Sequence, residues 1–229
     1  ALFIVHVLSW QEIVRALASA FKWILGLSLA LELWVALVVR APILPNFFVR
    51  PDGETNAHWY WVRGNLLDGG RIQGIVGNSN VLAIVCLFAI LTFGVLFAAR
   101  ARWRTTLALW TLLAGYFFLR AGSATAYACA AAAVLVLVVA LLMRRTKTPG
   151  ARTRLYVVSI GGVAIAGAAA WLLREPLFAL LGRSADLTGR SDTIWDKVLA
   201  RAAEHPIFGN GFSSPWVPFD PAFAGWIED

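Results

Sequence analysis

Three arginines in three separate stretches of this 229-residue chain stand where a guanidinium could meet an anionic substrate: Arg71, Arg120 and Arg190. Arg190 lies in LTGRSDTIW, just ahead of a segment in which Ile194, Trp195, Val198, Leu199 and Ala202 fall on one helical face. Ser191 or Asp192 can cap that helix, and Pro206 with Gly209 and Gly211 ends it, so Arg190 precedes exposed N-terminal amides. A guanidinium beside such amides binds phosphate through charge-assisted, often bidentate, hydrogen bonds. The plainer alternative pairs Arg190 with Asp186 or Asp192, and Arg183 is a weaker candidate of the same kind. Arg71 opens RIQGIVGNSNVLA, where Gly74 and Gly77 permit close backbone approach and Asn78 and Asn80 follow. Those two amides could bind a sugar or polar headgroup, or simply cap a helix. Arg120 precedes Gly122, Ser123 and Thr125 in a tight turn, where it can reach a substrate or snorkel to the interface.

The other chemistry-bearing residue types narrow the reaction. His6 reads as packing in an apolar run, and His58, in HWYWVRG, as part of an interfacial aromatic belt with sugar stacking as the sharper alternative. His205, before Pro206, complements a helix end, with a catalytic base as its alternative. The chain has no GxxxxGK[ST], no HExxH, and neither paired Cys nor paired His at metal-ligand spacing. The expected chemistry uses no metal and no cofactor. Cys86 and Cys129 sit inside apolar runs and are expected to be free thiols packed among helices.

The elements that must hold these residues are apolar helices. Hydrophobic residues make up 59% of the chain and charged residues 14%, with a mean hydropathy of +0.70, a balance that no soluble domain of this size can bury. The expected fold is all-α, a multi-pass transmembrane helical bundle forming a single membrane domain over 1–229. Its spans fall near 17–39, 75–99, 105–119, 126–143 and 155–173. Lys22 and Glu32 interrupt the first and must snorkel, pair or face the bundle interior. The loops at 100–104 and 144–154 together carry eight basic residues and no acid, whereas the loops at 40–74 and 174–229 carry eleven acids. By the positive-inside rule the first two are cytoplasmic, and 40–74, the turn at 120–125 and 174–229 face outward. The formal charge of +7 is therefore loop charge, not a nucleic-acid footprint. The sequence opens without Met in mid-hydrophobic run, unlike the basic start, short apolar stretch and small-residue cleavage site of a signal peptide, and is expected to be an internal stretch of a longer protein.

RIQGIVGNSNVLA, the GSATA turn after a span, LTGRSDTIW and HPIFGNG together resemble the O-antigen ligase and O-antigen polymerase family of bacterial membrane glycosyltransferases, over most of the chain. The resemblance implies a GT-C-like multi-helix fold in the bacterial cytoplasmic membrane. It also implies transfer of a glycan from undecaprenyl pyrophosphate to an acceptor glycan or glycolipid at the outer, periplasmic face. Arg190 then matches the arginine that engages the pyrophosphate, the catalytic role, while Arg71, Arg120, Asn78, Asn80, Ser123 and His205 are the substrate-binding set. The family carries a second arginine directly after the serine of the turn at 120–125, but here Ser123 is followed by Ala124, so Arg120 or Arg71 would supply that charge. The departure mildly favours the polymerase or exopolysaccharide branch. The family histidine lies in a segment expected beyond Asp229. The rival expectation from the residues alone is a transporter or flippase-like carrier using the same basic and aromatic groups.

Overall fold

The computed structural model describes residues 7–46, 60–99, 103–176, 196–206 and 209. Their regular elements are all helices, and the single extended pairing among them is an isolated antiparallel bridge between Ile43 and Val62. The chain divides into two compact units, Ala1–Arg152 and Thr153–Asp229.

In the first unit, α1 runs Trp10–Trp34. A capping box fixes its start: Ser9 Oγ accepts from Glu12 N at 3.4 Å, and Ser9 N donates to Glu12 Oε2 at 2.8 Å. The helix continues as a wider π turn over Val35–Val39, closed by Arg40 N donating to Val35 O, five residues back, at 2.8 Å. Arg40 itself takes the left-handed conformation, φ 54°, and turns the chain out. The short α2, Asn65–Asp68, follows. Residues expected to open the second span at 75 instead form a 3₁₀ turn, Gly74–Val76. The reason is local: Gly77 adopts φ 66° and Asn78 is extended, so the backbone breaks before α3, Ser79–Ala98, begins. α4, Arg104–Ala121, and α5, Ala124–Arg145, complete the unit, with α6 starting at Pro149.

The core lies where α1, α3 and α4 meet. Each helix buries one stripe: Val14, Ala18, Leu25, Ser28 and Glu32 on α1; Leu82, Ala83, Cys86, Ala89 and Phe93 on α3; Leu107, Ala114, Phe117 and Ala121 on α4. Small residues dominate the α3 and α4 stripes, which lets the helix backbones approach, while Phe93 and Phe117 fill the remaining space. Trp110 of α4 rests on Gly26 of α1, where an added Cβ would come within 3.4 Å of the ring. The α1 stripe is apolar until its last two members. Ser28 and Glu32 are polar and fully buried, and the loop after α2 packs on them.

Among the described residues, four helices are long and apolar enough to cross a membrane: Trp10–Val39, Ser79–Ala98, Ala124–Arg145 and Pro149–Leu172. Their outer faces, such as Val134 to Val138 on α5, are exposed hydrocarbon in the isolated chain, the surface that a bilayer would cover. α4 covers the expected 105–119 segment but is not among these four, since its 18 residues include Arg104 and Arg120. It lies along α3 as the second arm of a helical hairpin. Cys86 is buried in the core and Cys129 is exposed on α5, both as free thiols.

In the second unit α6, Pro149–Leu172, continues without a buried residue. The nine-residue α7, Asp196–Glu204, carries an Arg201–Glu204 ion pair of 2.7 Å one turn apart.

Candidate functional site

The candidate site sits at the end of the first unit where α3 begins and α4 ends. Because α3 and α4 form a hairpin, residues fifty apart in sequence come together there. Arg71 Nε donates to Ala121 O at 2.8 Å, and its Nη2 donates to Asn80 Oδ1 at 2.7 Å. The stem of Arg71 crosses Gly122, where a Cβ would sit 3.4 Å from Cγ, and Gly122 is left-handed at φ 58°. Arg120 reaches the opposite way, donating through Nη2 to Asn65 O and standing 5.9 Å over the Tyr116 ring. Two further bonds close the junction: Asn65 Nδ2 donates to Arg71 O at 3.1 Å, and Ile72 N to Arg120 O at 3.2 Å.

The oxygens of Ala121, Asn80 and Asn65 are neutral acceptors, and these bonds set the direction of the two guanidiniums. Both side chains are half-buried and Asn80 is exposed, at a solvent-facing edge of the bundle. An anion approaching this edge would find forked donors already held in place.

Asn78 and Ser123 lie beside this cluster but turn their oxygens to their own helices. Asn78 Oδ1 accepts from Asn80 N at 2.9 Å and Val81 N at 3.3 Å as the N-cap of α3. Ser123 Oγ accepts from Ala126 N at 3.4 Å as the N-cap of α5 and is buried. Asn78→Ala should destabilise the protein by about 1 kcal/mol, with Asn78→Asp close to wild type. Thermal unfolding in detergent checks this, and an unshifted Ala midpoint would show that the cap carries no stability.

Glu32 is the residue whose part the sequence did not disclose. Its Oε1 accepts from Gln73 N at 3.0 Å and Gly74 N at 2.8 Å, while Ser28 Oγ, one turn earlier, accepts from Ile75 N at 3.1 Å. Three successive amides at the start of the 3₁₀ turn are thus held by one face of α1. Glu32 is fully buried, as the interior-facing expectation required, and its Oε2 makes no hydrogen bond among the described residues. From the other side Trp61 Nε1 donates to Ile75 O at 3.0 Å, and Gln73 Oε1 accepts from Arg63 N at 3.2 Å. A Ser–Glu pair at i, i+4 within an apolar helix was the available signal.

Of the remaining candidates, His205 ends α7, where its N donates to Ala202 O at 3.3 Å and its carbonyl accepts from Gly209 N at 2.9 Å. Its side chain is exposed, and it belongs to the second unit. His6, His58, Arg183 and Arg190, with Ile194 and Trp195, lie outside the described residues. The chain matches no protein-family model, no curated protein and no solved structure.

Proposed function

We propose that this chain is the core of a GT-C-like, multi-pass membrane glycosyltransferase that moves a glycan from an undecaprenyl pyrophosphate carrier to a sugar hydroxyl, without a metal, in surface polysaccharide assembly. The observation that carries this reading is the meeting of Arg71, Arg120 and Asn80 at one end of the hairpin, beside a loop rich in polar groups. With the basic loops at 100–104 and 144–154 cytoplasmic, that end faces outward, where a lipid-linked glycan and its acceptor meet.

The chemistry needs what this edge offers. As the bond from sugar C1 to the carrier's phosphate oxygen breaks, negative charge on the departing pyrophosphate increases, and fixed guanidiniums stabilise it more than they stabilise the less charged ground-state diester. The acceptor oxygen forms the new bond to C1 and gives its proton to a base. In this reading Arg71 and Arg120 hold the carrier with Asn80 on the sugar side, Asn78 and Ser123 serve their helices as caps, and Arg190 is the candidate catalytic cation.

Membranes bearing the protein, supplied with a polyprenyl pyrophosphate-linked glycan and an acceptor, should extend or transfer the glycan. Arg190→Ala should lower the rate at least about tenfold, the expected effect of losing one charge-assisted hydrogen bond to the leaving group. An Arg190→Ala protein as fast as wild type would remove that residue from the site.

Glu32 favours a second reading. A buried carboxylate inside an apolar helix, beside a backbone break at Gly74–Val76, is also how carriers build a binding site. Sealed vesicles that accumulate a lipid-linked or polar substrate without altering its glycan would select the transporter.

A further inference from the structure

Taking the glycosyltransferase reading as its basis, we infer that Glu32 is a positioning residue for the anionic donor: it sets Arg71 by gripping the loop that carries it. The path is short. Arg71 is two residues before Gln73, and the Gln73 and Gly74 amides both end on Glu32 Oε1. Gly69, Gly70, Gly74 and Gly77 of loop 69–77 all adopt positive φ and contribute no side chain to packing, so the loop is held at a small number of points. These are Ile72, buried in the core with its N on Arg120 O, Asn65 at Arg71 O, Gln73 Oε1 at Arg63 N, Trp61 at Ile75 O, and the α1 pair Glu32 and Ser28. Among these contacts Glu32 is the one whose single oxygen, Oε1, accepts from two successive amides of the loop.

The burial of Glu32 also asks for an explanation. A carboxylate wholly removed from solvent with one oxygen unbonded is a costly way to tie down a loop, and an apolar stripe with a second serine would be cheaper for folding alone. The clamp has a functional return if the geometry it holds is that of Arg71. Loss of Glu32 then loosens Arg71 relative to Ala121 O and Asn80 and weakens donor capture, while leaving the reacting groups otherwise unaltered.

The test is a double-mutant cycle on the full chain in membranes, with Glu32→Leu and Arg71→Ala separately and together, read as donor KM and kcat. Glu32→Leu should raise donor KM about tenfold, with kcat falling less than KM rises, and should add almost nothing in the Arg71→Ala background. Glu32→Gln, which keeps an acceptor for both amides, should recover most of the loss. Should Glu32→Leu fail to accumulate, Glu32→Gln and Ser28→Ala run the same cycle with smaller shifts. Independent effects of Glu32 and Arg71 would overturn the proposal.

Amide hydrogen exchange over residues 71–76 provides the arm that does not depend on turnover. Faster exchange at Gln73 and Gly74 in Glu32→Leu supports the clamp; unchanged exchange overturns it. A wild-type protein inactive with every donor sinks the transferase reading alone. In that case binding of undecaprenyl pyrophosphate to the purified protein replaces KM in the cycle, with coupling supporting the role of Glu32, and additivity or no binding overturning it.

Discussion

If the proposed glycan transfer is this protein's activity, Arg71→Ala should lower it about a hundredfold in membranes at matched protein levels, the largest loss expected from any single residue among those described. Two effects combine in it. The substitution removes a forked cation from the proposed donor edge, and it also deletes the bonds to Ala121 O and Asn80 Oδ1 that tie the loop to the α3–α4 hairpin. Each such bond to a charged donor contributes about 1.5–3 kcal/mol, so the junction loosens at the same time as the charge disappears. Arg71→Lys separates the two. A lysine keeps the charge but, with a single ammonium, cannot reproduce divergent contacts from Nε and Nη2, and an intermediate loss of about tenfold is expected. Transfer within twofold of wild type for Arg71→Ala, measured on protein that accumulates and melts normally, would take Arg71 out of the site.

Why Arg71 and Arg120 could be singled out from sequence, and Glu32 only in part, follows from what each residue uses as a partner. Glycines mark the breaks at 74, 77 and 122, and polar side chains gathered at helix ends are visible as exceptions in an apolar chain. That is enough to nominate Arg71, Asn80 and Arg120 separately. Their meeting is a tertiary fact: it depends on α4 folding back along α3, which brings Ala121 to Arg71 across fifty positions. Glu32 was legible as an inward-facing charge, but its partners are backbone amides 41 and 42 residues away, and a backbone N–H leaves no trace in residue identity. The same gap explains the start of α3. Hydropathy runs unbroken from Ile75 through Val76, whereas the left-handed Gly77 and the Asn78 cap decide that the helix opens at Ser79. The four helices able to span a membrane could be read from composition because length and apolarity suffice. α4 is harder to read, since terminal arginines dilute its apolar character and its partner α3 shelters only one stripe of it.

Gly74 is where the loop and α1 come closest, and Gly74→Ala should destabilise the protein by about 3 kcal/mol. A Cβ there would lie 2.6 Å from Ser28 Oγ, 2.8 Å from Ser28 Cβ and 3.2 Å from Leu82 Cδ1, on a residue held at φ 58°. Left-handed backbone alone costs a residue other than glycine about 1–2 kcal/mol. The remainder is overlap with a fully buried neighbour on a packed helix, which cannot withdraw without releasing the Ile75 amide. The two contributions can be measured apart, because trimming Ser28 removes the two shortest contacts and leaves the dihedral untouched. Ser28→Gly/Gly74→Ala should therefore be more stable than the sum of its single substitutions predicts, recovering the overlap while retaining the backbone strain. Unfolding of the four proteins by graded denaturing detergent gives the comparison. If Gly74→Ala unfolds with wild type, the loop has room that this packing denies, and the grip of Glu32 and Ser28 on Gln73, Gly74 and Ile75 would have to be looser than the hydrogen bonds indicate. If it is destabilised and the double substitution restores part of the loss, the close approach of the arginine-bearing loop to α1 is established as a property of the folded protein, and the amides that Glu32 holds lie within it.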